Sequence, residues 1–162
     1  MVGGTINDEF VSPVPPARLW RAGFRDVRVL VPKLMPEVIV SIDILEGDGG
    51  VGTIKKFNFT EVIKDYRFVT DRVEVMDDEK HVLKYVVINE GGHLGTKINS
   101  MSCEFKIDPS SDGGCVTKLK IIYDSDEDGP TAEACAAETK EGVVGMVKVV
   151  FAYLQANPDA YV

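Results

Sequence analysis

A glycine-rich stretch at residues 47–53, GDGGVGT, separates two runs that have the composition of β-strands. Its first six residues match G-x-G-x-x-G, the pattern of a dinucleotide-binding turn, which needs a helix directly after the last glycine. The residues that follow instead place Ile54, Phe57 and Phe59 in a run with strand spacing. A Walker phosphate loop is excluded as well, because no Lys-Ser or Lys-Thr pair follows the glycines directly. We therefore interpret the stretch as a β-turn between two strands, in which four glycines supply positive-φ conformations. The residues of this turn are Gly47, Asp48, Gly49, Gly50 and Gly52.

Strand-like runs fill the middle of the chain, and one long helical pattern ends it. Short turns join the consecutive strands, which predicts an antiparallel meander. Apolar residues at helical spacing predict a helix from residue 131 to about residue 156. The predicted strands cover residues 4–10, 38–46, a run that starts at 54, 67–76, 81–89, 97–108 and 115–124, and two predicted short helices cover residues 17–24 and 32–38.

The middle of the long helix contains two glycines, Gly142 and Gly145. Each costs a helix about 1 kcal/mol relative to alanine, so their presence needs a reason. One interpretation is that a bulky neighbour needs room at these positions. The other is that the helix yields here and moves over something bound beneath it. The sequence leaves both interpretations open.

Length, composition and charge restrict the class of protein. With 162 residues, 44% of them hydrophobic, the chain is expected to form a single soluble domain over residues 1–162. The formal net charge of −8 opposes attraction to nucleic-acid phosphates and favours a monomer. Three cysteines without metal-ligand spacing fit a reducing compartment, and the N-terminus shows no signal-peptide pattern. We therefore expect a cytoplasmic or nuclear protein with no cofactor, no metal, no nucleic-acid partner and no membrane partner.

Three motifs together resemble the plant pathogenesis-related class 10 proteins, the family of the major birch pollen allergen, in the START-like superfamily. The first motif is the glycine-rich turn with the residues after it, GDGGVGTIKK. The second, at residues 113–123, is similar to G-G-[CS]-x-x-K-x-x-x-x-[FY]. The third is the C-terminal ending from Tyr153 to Tyr161. The resemblance covers essentially the whole chain.

This resemblance implies an α+β helix-grip fold, in which a curved seven-stranded antiparallel sheet wraps around a long C-terminal helix and two short helices. It also implies a large internal hydrophobic cavity, which composition alone does not distinguish from a filled core. Such a cavity takes up small apolar ligands because their burial removes apolar surface from water. The candidate ligand-binding residues are Phe57, Phe59, Tyr85, Tyr123, Val143 and Met146.

Lys84 is the candidate catalytic residue of an alternative function. The segment at residues 78–84, DEKHVLK, resembles norcoclaurine synthase, a member of the same superfamily that condenses an amine with an aldehyde and in which the aligned lysine is catalytic. A lysine that faces an apolar cavity has its charged form disfavoured, which suits Schiff-base or acid–base chemistry. The rest of that enzyme's set does not carry over, because threonine, arginine and methionine stand where it has tyrosine, glutamate and aspartate. Strand alternation leaves open whether Lys84 or Tyr85 points inward.

Other patterns receive simpler interpretations. The resemblance also implies a link to weak ribonuclease activity through the glycine turn and Lys55, but no histidine pair lies near that turn. The D-x-D-x-D-G opening at residues 124–129 is similar to a calcium-binding loop, yet Cys135 stands at its twelfth position in place of glutamate. The turn at residues 90–95 lacks the gate sequence of the related hormone receptors.

The leading hypothesis is an intracellular plant defence-related protein that binds and carries or stores small hydrophobic metabolites or hormones. Ligands of the flavonoid, cytokinin or alkaloid type fit the cavity that the resemblance implies. The alternative is an enzyme of specialised metabolism on the same scaffold, catalysing amine–aldehyde condensation or isomerisation through Lys84.

Overall fold

The computed structural model describes residues 2–64, 66–90, 98–125 and 130–162 of the chain. Within these ranges, seven strands form one antiparallel sheet in the order β1-β7-β6-β5-β4-β3-β2. The predicted α+β class with a seven-stranded antiparallel sheet and a long C-terminal helix is confirmed. The strands are β1 (Val2–Ser12), β2 (Ile39–Glu46), β3 (Ile54–Phe59), β4 (Phe68–Asp77), β5 (Val82–Glu90), β6 (Ser100–Pro109) and β7 (Cys115–Ser125).

Strand alternation separates an inner face of the sheet from an outer face. Along β7, every second residue from Cys115 to Ser125 is buried, while Lys118 and Lys120 are exposed. Residues two apart in a strand point to the same side, so the inner face of β7 carries the buried side chains, most of them apolar. In β4 the pairing with β5 shifts register between Thr70 and Asp71, which are both buried, and again between Val73 and Val75, and the alternation is interrupted at both points.

Two short α-helices flank a π-helix near the N-terminus: α1 (Pro16–Leu19), the π-helix (Trp20–Arg25) and α2 (Val27–Leu34). The predicted bounds of the second short helix, residues 32–38, were wrong. The helix instead begins at Val27, and Pro32, where the predicted helix began, lies in the last turn of α2. The π-helix ends in a wide turn, in which the amide of Asp26 donates to the carbonyl of Arg21 at 3.0 Å.

The long helix α3 (Pro130–Ala156) covers the inner face of the sheet, and its bounds agree with the predicted helix to one residue. Val150 and Leu154 on this helix are almost fully buried, and the ring of Phe151 lies 5.8 Å from that of Phe10. No helix in the described part of the chain is long and apolar enough to cross a membrane.

The end of α3 is tied to the short helices by two arginines. Arg18 donates from Nε to the carbonyl of Ala160 at 2.7 Å and from Nη2 to that of Leu154 at 2.9 Å. Arg21 donates to the carbonyl of Tyr161 at 2.8 Å. The carbonyl of Leu154 is among the last four of α3, which lack partners within the helix, so Arg18 satisfies an acceptor that would otherwise depend on water. The carbonyls of Ala160 and Tyr161 lie beyond the end of the helix, so the two arginines also bind the C-terminal segment.

Candidate functional site

Two adjoining chambers lie between the sheet and α3. The first chamber adjoins the short helices and has a cavity volume of about 50 Å³, and the second lies beside the middle of α3 and has about 310 Å³. Only the second reaches the size that is typical of small-molecule sites, which begins at about 300 Å³. The first chamber is lined by Gly23, Phe24, Val27, Val31, Lys55, Phe57, Asp71, Leu83, Tyr85, Phe105, Val143, Met146, Val147 and Val150. The second is lined by Met35, Val38, Ile39, Phe57, Phe59, Ile63, Tyr66, Val69, Asp71, Tyr85, Val87, Cys103, Thr139, Glu141, Gly142, Val143, Gly145 and Met146.

Most of the candidate ligand-binding residues lie in the walls of these chambers. The second chamber has Phe57, Phe59, Tyr85, Val143 and Met146 in its lining. Tyr123 is on the inner face of the sheet but lines neither chamber. Its ring instead covers Gly4 of the neighbouring strand, where an added β-carbon would come within 2.3 Å of the tyrosine Cζ. The absence of a side chain at Gly4 therefore leaves room for the aromatic ring over β1, away from the chambers.

The structure resolves which of two neighbouring residues on β5 faces inward. Leu83 and Tyr85 line the first chamber, and Lys84 between them lines neither chamber. In the sheet, Lys84 lies opposite Glu104, which is exposed on the outer face. A lysine on the outer face does not reach a ligand in the chambers, so this geometry gives no support to the catalytic role assigned to Lys84.

Two charged residues that the sequence interpretation did not place in the cavity form part of its wall. Lys55 of β3 and Asp71 of β4 lie directly opposite each other in the sheet, with exposed fractions of 7% and 2%. The Oδ1 atom of Asp71 is buried and has no hydrogen-bond partner. Burial raises the pKa of Asp71 to about 6, and the charge of Lys55 opposes this rise. A carboxyl with an unused acceptor in a mostly apolar wall is a group to which a ligand can donate a hydrogen bond.

A second polar pair lies beside Asp71. Tyr85 of β5 is directly opposite Cys103 of β6, and their side chains are hydrogen-bonded. Burial raises the pKa of the Cys103 thiol to about 12 and raises the pKa of Tyr85 well above its usual value. Both groups are therefore neutral at physiological pH, and Cys103 is a poor nucleophile because the reactive form of cysteine is the thiolate.

Strand alternation was the signal that could have located Asp71. It belongs to the same inward set as Val69 and Val73, and Val69 lines the second chamber while Val73 is in the core. A carboxylate in an apolar inward set is unusual, because burial of a charge without a close partner is costly.

The glycine-rich turn connects β2 to β3, as the sequence predicted. Gly47, Gly49 and Gly52 have φ values of +94°, +102° and +89°, whereas Gly50 is not among the glycines with positive φ, so three of the four glycines meet the expectation. The amide of Gly49 donates to Oγ1 of Thr53 at 2.8 Å. The amide of Gly52 donates to the carbonyl of Val73 at 2.9 Å. Since these amides are used inside the protein, the turn does not present them as a cradle for phosphate.

A comparison of the whole chain with known families gives one clear assignment. The profile described as the pathogenesis-related protein Bet v 1 family matches residues 1–157. The chain belongs to this family. The predicted resemblance is therefore confirmed, and relatives agree with it. The chain is 40% identical over 157 residues to the major allergen Pru ar 1 of Prunus armeniaca, covering 97% of both proteins, and 33% identical over 162 residues to pathogenesis-related protein 1 of Asparagus officinalis, covering all of both.

Solved structures of Bet v 1-like proteins have the same fold. The crystal structure of Ara h 8.0201 superposes with a TM-score of 0.83 at 31% identity, covering 96% of this chain and 100% of that one. Norcoclaurine synthase from Thalictrum flavum, solved in complex with dopamine and hydroxybenzaldehyde, superposes with a TM-score of 0.78 at 19% identity, covering 96% of this chain and 88% of that one. The second likeness concerns the fold alone, and it shows that this scaffold also occurs in an enzyme.

Within the Bet v 1 fold of this chain, the two glycines of α3 do not make room for a neighbour. A β-carbon added at Gly142 or Gly145 would meet no heavy atom within 4 Å outside the helix backbone. The interpretation that a bulky neighbour requires glycine here was therefore wrong. The second interpretation, that the helix yields at this point, stays a prediction.

Several patterns from the sequence fall wholly or partly outside the described residues. The turn at residues 90–95 is described only at its first residue, and the calcium-like stretch is described only up to Ser125. Among the residues that are described, no group of three or more His, Cys, Asp or Glu side chains is placed to hold a metal ion.

Proposed function

We propose that this protein binds a small hydrophobic ligand in the two chambers and carries or stores it. The ligand has a largely flat apolar body and at least one hydrogen-bond donor, a description that fits flavonoid, cytokinin and alkaloid types. Aromatic and aliphatic side chains of the sheet and α3 would remove its apolar surface from water, which contributes about 25 cal/mol per Å². As a pathogenesis-related protein, it would do this as part of the defence response of a plant cell.

The observation that carries this proposal is the unpartnered oxygen of Asp71. Asp71 lies in the wall shared by both chambers, and the residue is 2% exposed. An unsatisfied buried acceptor costs about 1–3 kcal/mol, and a ligand that donates a hydrogen bond to it recovers much of that cost. Tyr85 and Lys55 lie close enough to Asp71 to interact electrostatically with it and supply donors to a second polar group of the ligand.

The state of the cysteines supports a reducing location such as the cytoplasm. Cys103, Cys115 and Cys135 are buried, and none of the three forms a disulfide. Proteins of oxidising compartments commonly use paired cysteines for stability, whereas thiols persist in the cytosol. We therefore propose that ligand binding takes place inside the cell.

Calorimetric titration with a matched pair of ligands tests the proposed function. para-Octylphenol and its methyl ether have nearly the same shape, but only the phenol donates a hydrogen bond. We expect the phenol to bind about tenfold more tightly, as the loss of one buried hydrogen bond predicts. Asp71→Leu should abolish this preference while it leaves the weaker binding of the ether in place.

Glu74→Gln is the matched control, because Glu74 is an exposed acid on the same strand. It should retain the preference for the phenol. Equal affinities of the wild-type protein for phenol and ether would contradict the role of Asp71, and no binding of either compound would contradict the carrier function. Mass spectrometry of the mixture should recover the phenol unchanged, since a carrier releases its ligand without a reaction.

A further inference from the structure

The two glycines in the middle of α3 leave a bare section of helix backbone in the wall of the second chamber. Gly142 and Gly145 are three residues apart and therefore lie on neighbouring positions of one helix face. Both line this chamber, and a β-carbon at either one would extend into open space. Each glycine costs the helix about 1 kcal/mol relative to alanine, and no close contact of the protein requires it.

The same section of α3 is also accessible to solvent. Gly142 and its neighbour Glu141 are exposed, yet both belong to the chamber lining. One residue further on, Val143 is buried and closes the wall. At Gly142 the wall between the chamber and the solvent is therefore helix backbone that carries no side chain.

An independent feature on the opposite wall indicates what the chamber takes up. Asp71 lies on the sheet side of the second chamber, and its unpartnered Oδ1 is buried. A ligand that donates a hydrogen bond to Asp71 has one end fixed at the sheet. The remainder of the ligand then runs across the chamber toward α3.

We propose that Gly142 and Gly145 form the entrance of the second chamber, and that flat ligands with a hydrogen-bond donor bind more tightly when they also carry an apolar chain. Such a ligand carries a hydrogen-bond donor at one end, which binds Asp71, and an apolar chain long enough to reach the gap above the two glycines. Because the two glycines have no side chains, the end of the ligand's apolar chain can extend along the helix backbone toward the solvent. A ligand longer than the closed part of the chamber can therefore still bind. This inference rests on the proposed function, since it concerns the same chambers.

A series of para-alkylphenols from butyl to dodecyl tests the entrance. The wild-type protein should bind each longer phenol more tightly, by about a factor of four per added methylene where the chain remains buried. The variants Gly142→Leu and Gly145→Leu fill the open space with side chains. In these variants the Kd of para-dodecylphenol should rise about tenfold or more, because the leucine side chain occupies the space in which the end of the alkyl chain would be buried.

Measurements with para-butylphenol distinguish an effect on the rate of entry from an effect on affinity. para-Butylphenol is eight methylenes shorter than para-dodecylphenol, so its chain depends less on the space above the two glycines. Its Kd should stay within about threefold of the wild-type value, as is usual for a substitution outside the main contacts. Its association rate in stopped-flow fluorescence should fall about tenfold, because the passage must now open before the ligand enters. Ala152→Leu is the control, since Ala152 is exposed on the same helix and lines neither chamber.

The outcomes distinguish this inference from the proposed function. Unchanged rates and Kd values for both phenols in the leucine variants would place the entrance elsewhere and overturn the inference, while the carrier function would stand. Absence of phenol binding to the wild-type protein would overturn the function and the entrance together. Leucine has a much higher helix propensity than glycine, so the variants should melt no lower than the wild type, and Gly142→Ala with Gly145→Ala provides a smaller step in the same direction.

Discussion

Lys55 lies directly opposite Asp71 in the β3–β4 register, and both side chains are almost fully buried in the wall of the first chamber. Two effects act on the carboxyl group in opposite directions. The charge of Lys55 favours the ionised form, and burial disfavours it. Burial is the larger effect, because the pKa of Asp71 is raised from 3.8 to about 6. The ionised carboxylate therefore destabilises the folded protein at neutral pH.

The first prediction concerns the pH dependence of stability. A folded-state pKa above the unfolded value means that the folded protein binds more protons, so its stability falls as pH rises from about 4 through about 6. Asp71→Asn removes this titration. The free energy of unfolding of the variant minus that of the wild type should increase by up to about 3 kcal/mol from about pH 4 to about pH 7.5. Urea denaturation at a series of pH values measures this difference.

Glu74→Gln provides the comparison for that series. Glu74 is exposed on the same strand, so its loss should leave the pH profile parallel to that of the wild type. If the profile of Asp71→Asn were parallel as well, Asp71 would titrate alike in the folded and unfolded protein, and its proposed burial in the cavity wall would be incorrect.

The second prediction concerns the effect of Lys55 on its partner. Lys55→Met removes the positive charge that opposes the effect of burial, so the pKa of Asp71 should rise further above its present value. Carbon-13 NMR of the side-chain carboxyl measures this titration directly. Lys56→Met is the control, because Lys56 lies over the ring of Phe68 with its Nζ 4.7 Å from the ring centre, away from Asp71. A Lys56 variant with the larger effect would show that the wrong lysine had been assigned.

The sequence was sufficient to predict the sheet and the long helix, because both depend on periodicities that are local in the chain. The inward face of β4 could be predicted in the same way, since Val69, Asp71 and Val73 alternate with polar residues. What alternation does not reveal is the positive charge that partly offsets the cost of burying this acid. That charge is on Lys55, which reaches Asp71 only through the pairing of two strands.

The short helices were harder to predict for a different reason. A π-helix at Trp20–Arg25 has no simple sequence periodicity, and its wide turn displaces the helix that follows. The indole of Trp20 donates to Oδ1 of Asp78 at 2.8 Å, and its ring stacks on that of Phe24 at 5.4 Å. The stacking is local to the π-helix, whereas the hydrogen bond to Asp78 joins segments that are 58 residues apart, so only the folded structure shows this part of what stabilises the π-helix.

The third prediction concerns the link between α1 and the end of α3. Arg18 donates hydrogen bonds to the backbone carbonyls of Leu154, Asn157 and Ala160. Arg18→Ala leaves these acceptors without the guanidinium, and hydrogen bonds that involve a charged group contribute about 1.5–3 kcal/mol each, with losses that do not add fully. We expect the unfolding free energy to fall by about 3 kcal/mol in total.

Arg28→Ala is the matched control for this loss. Arg28 is an exposed arginine in the same region of the chain, and its removal should change stability by less than about 0.5 kcal/mol. Arg18→Lys should recover little of the loss, because a single ammonium does not reproduce the fork of donors that contacts several carbonyls. Full recovery of stability by lysine would show that the positive charge alone, and not the geometry of the guanidinium, accounts for the stabilisation.

The last prediction concerns Gly4 and Tyr123, a pair that faces each other across β1 and β7. A β-carbon at Gly4 would come within 2.3 Å of Cζ and 2.6 Å of Cε1 of the tyrosine, so Gly4→Ala forces the buried ring to move. Overpacking of this kind costs about 1–3 kcal/mol, which thermal denaturation would detect as a lower melting temperature. Gly3→Ala is the matched control, since its β-carbon would have no neighbour closer than 3.6 Å.

A double-mutant cycle identifies the cause of that loss. If the clash with the ring is responsible, Gly4→Ala should cost much less in a Tyr123→Leu background, which removes the ring, than in the wild type. A cost that is the same in both backgrounds would assign the effect to the backbone of β1. Because Tyr123 lines neither chamber, para-octylphenol should still bind to Tyr123→Leu with close to the wild-type affinity. The same pair thus tests whether this tyrosine stabilises the fold without contacting the ligand.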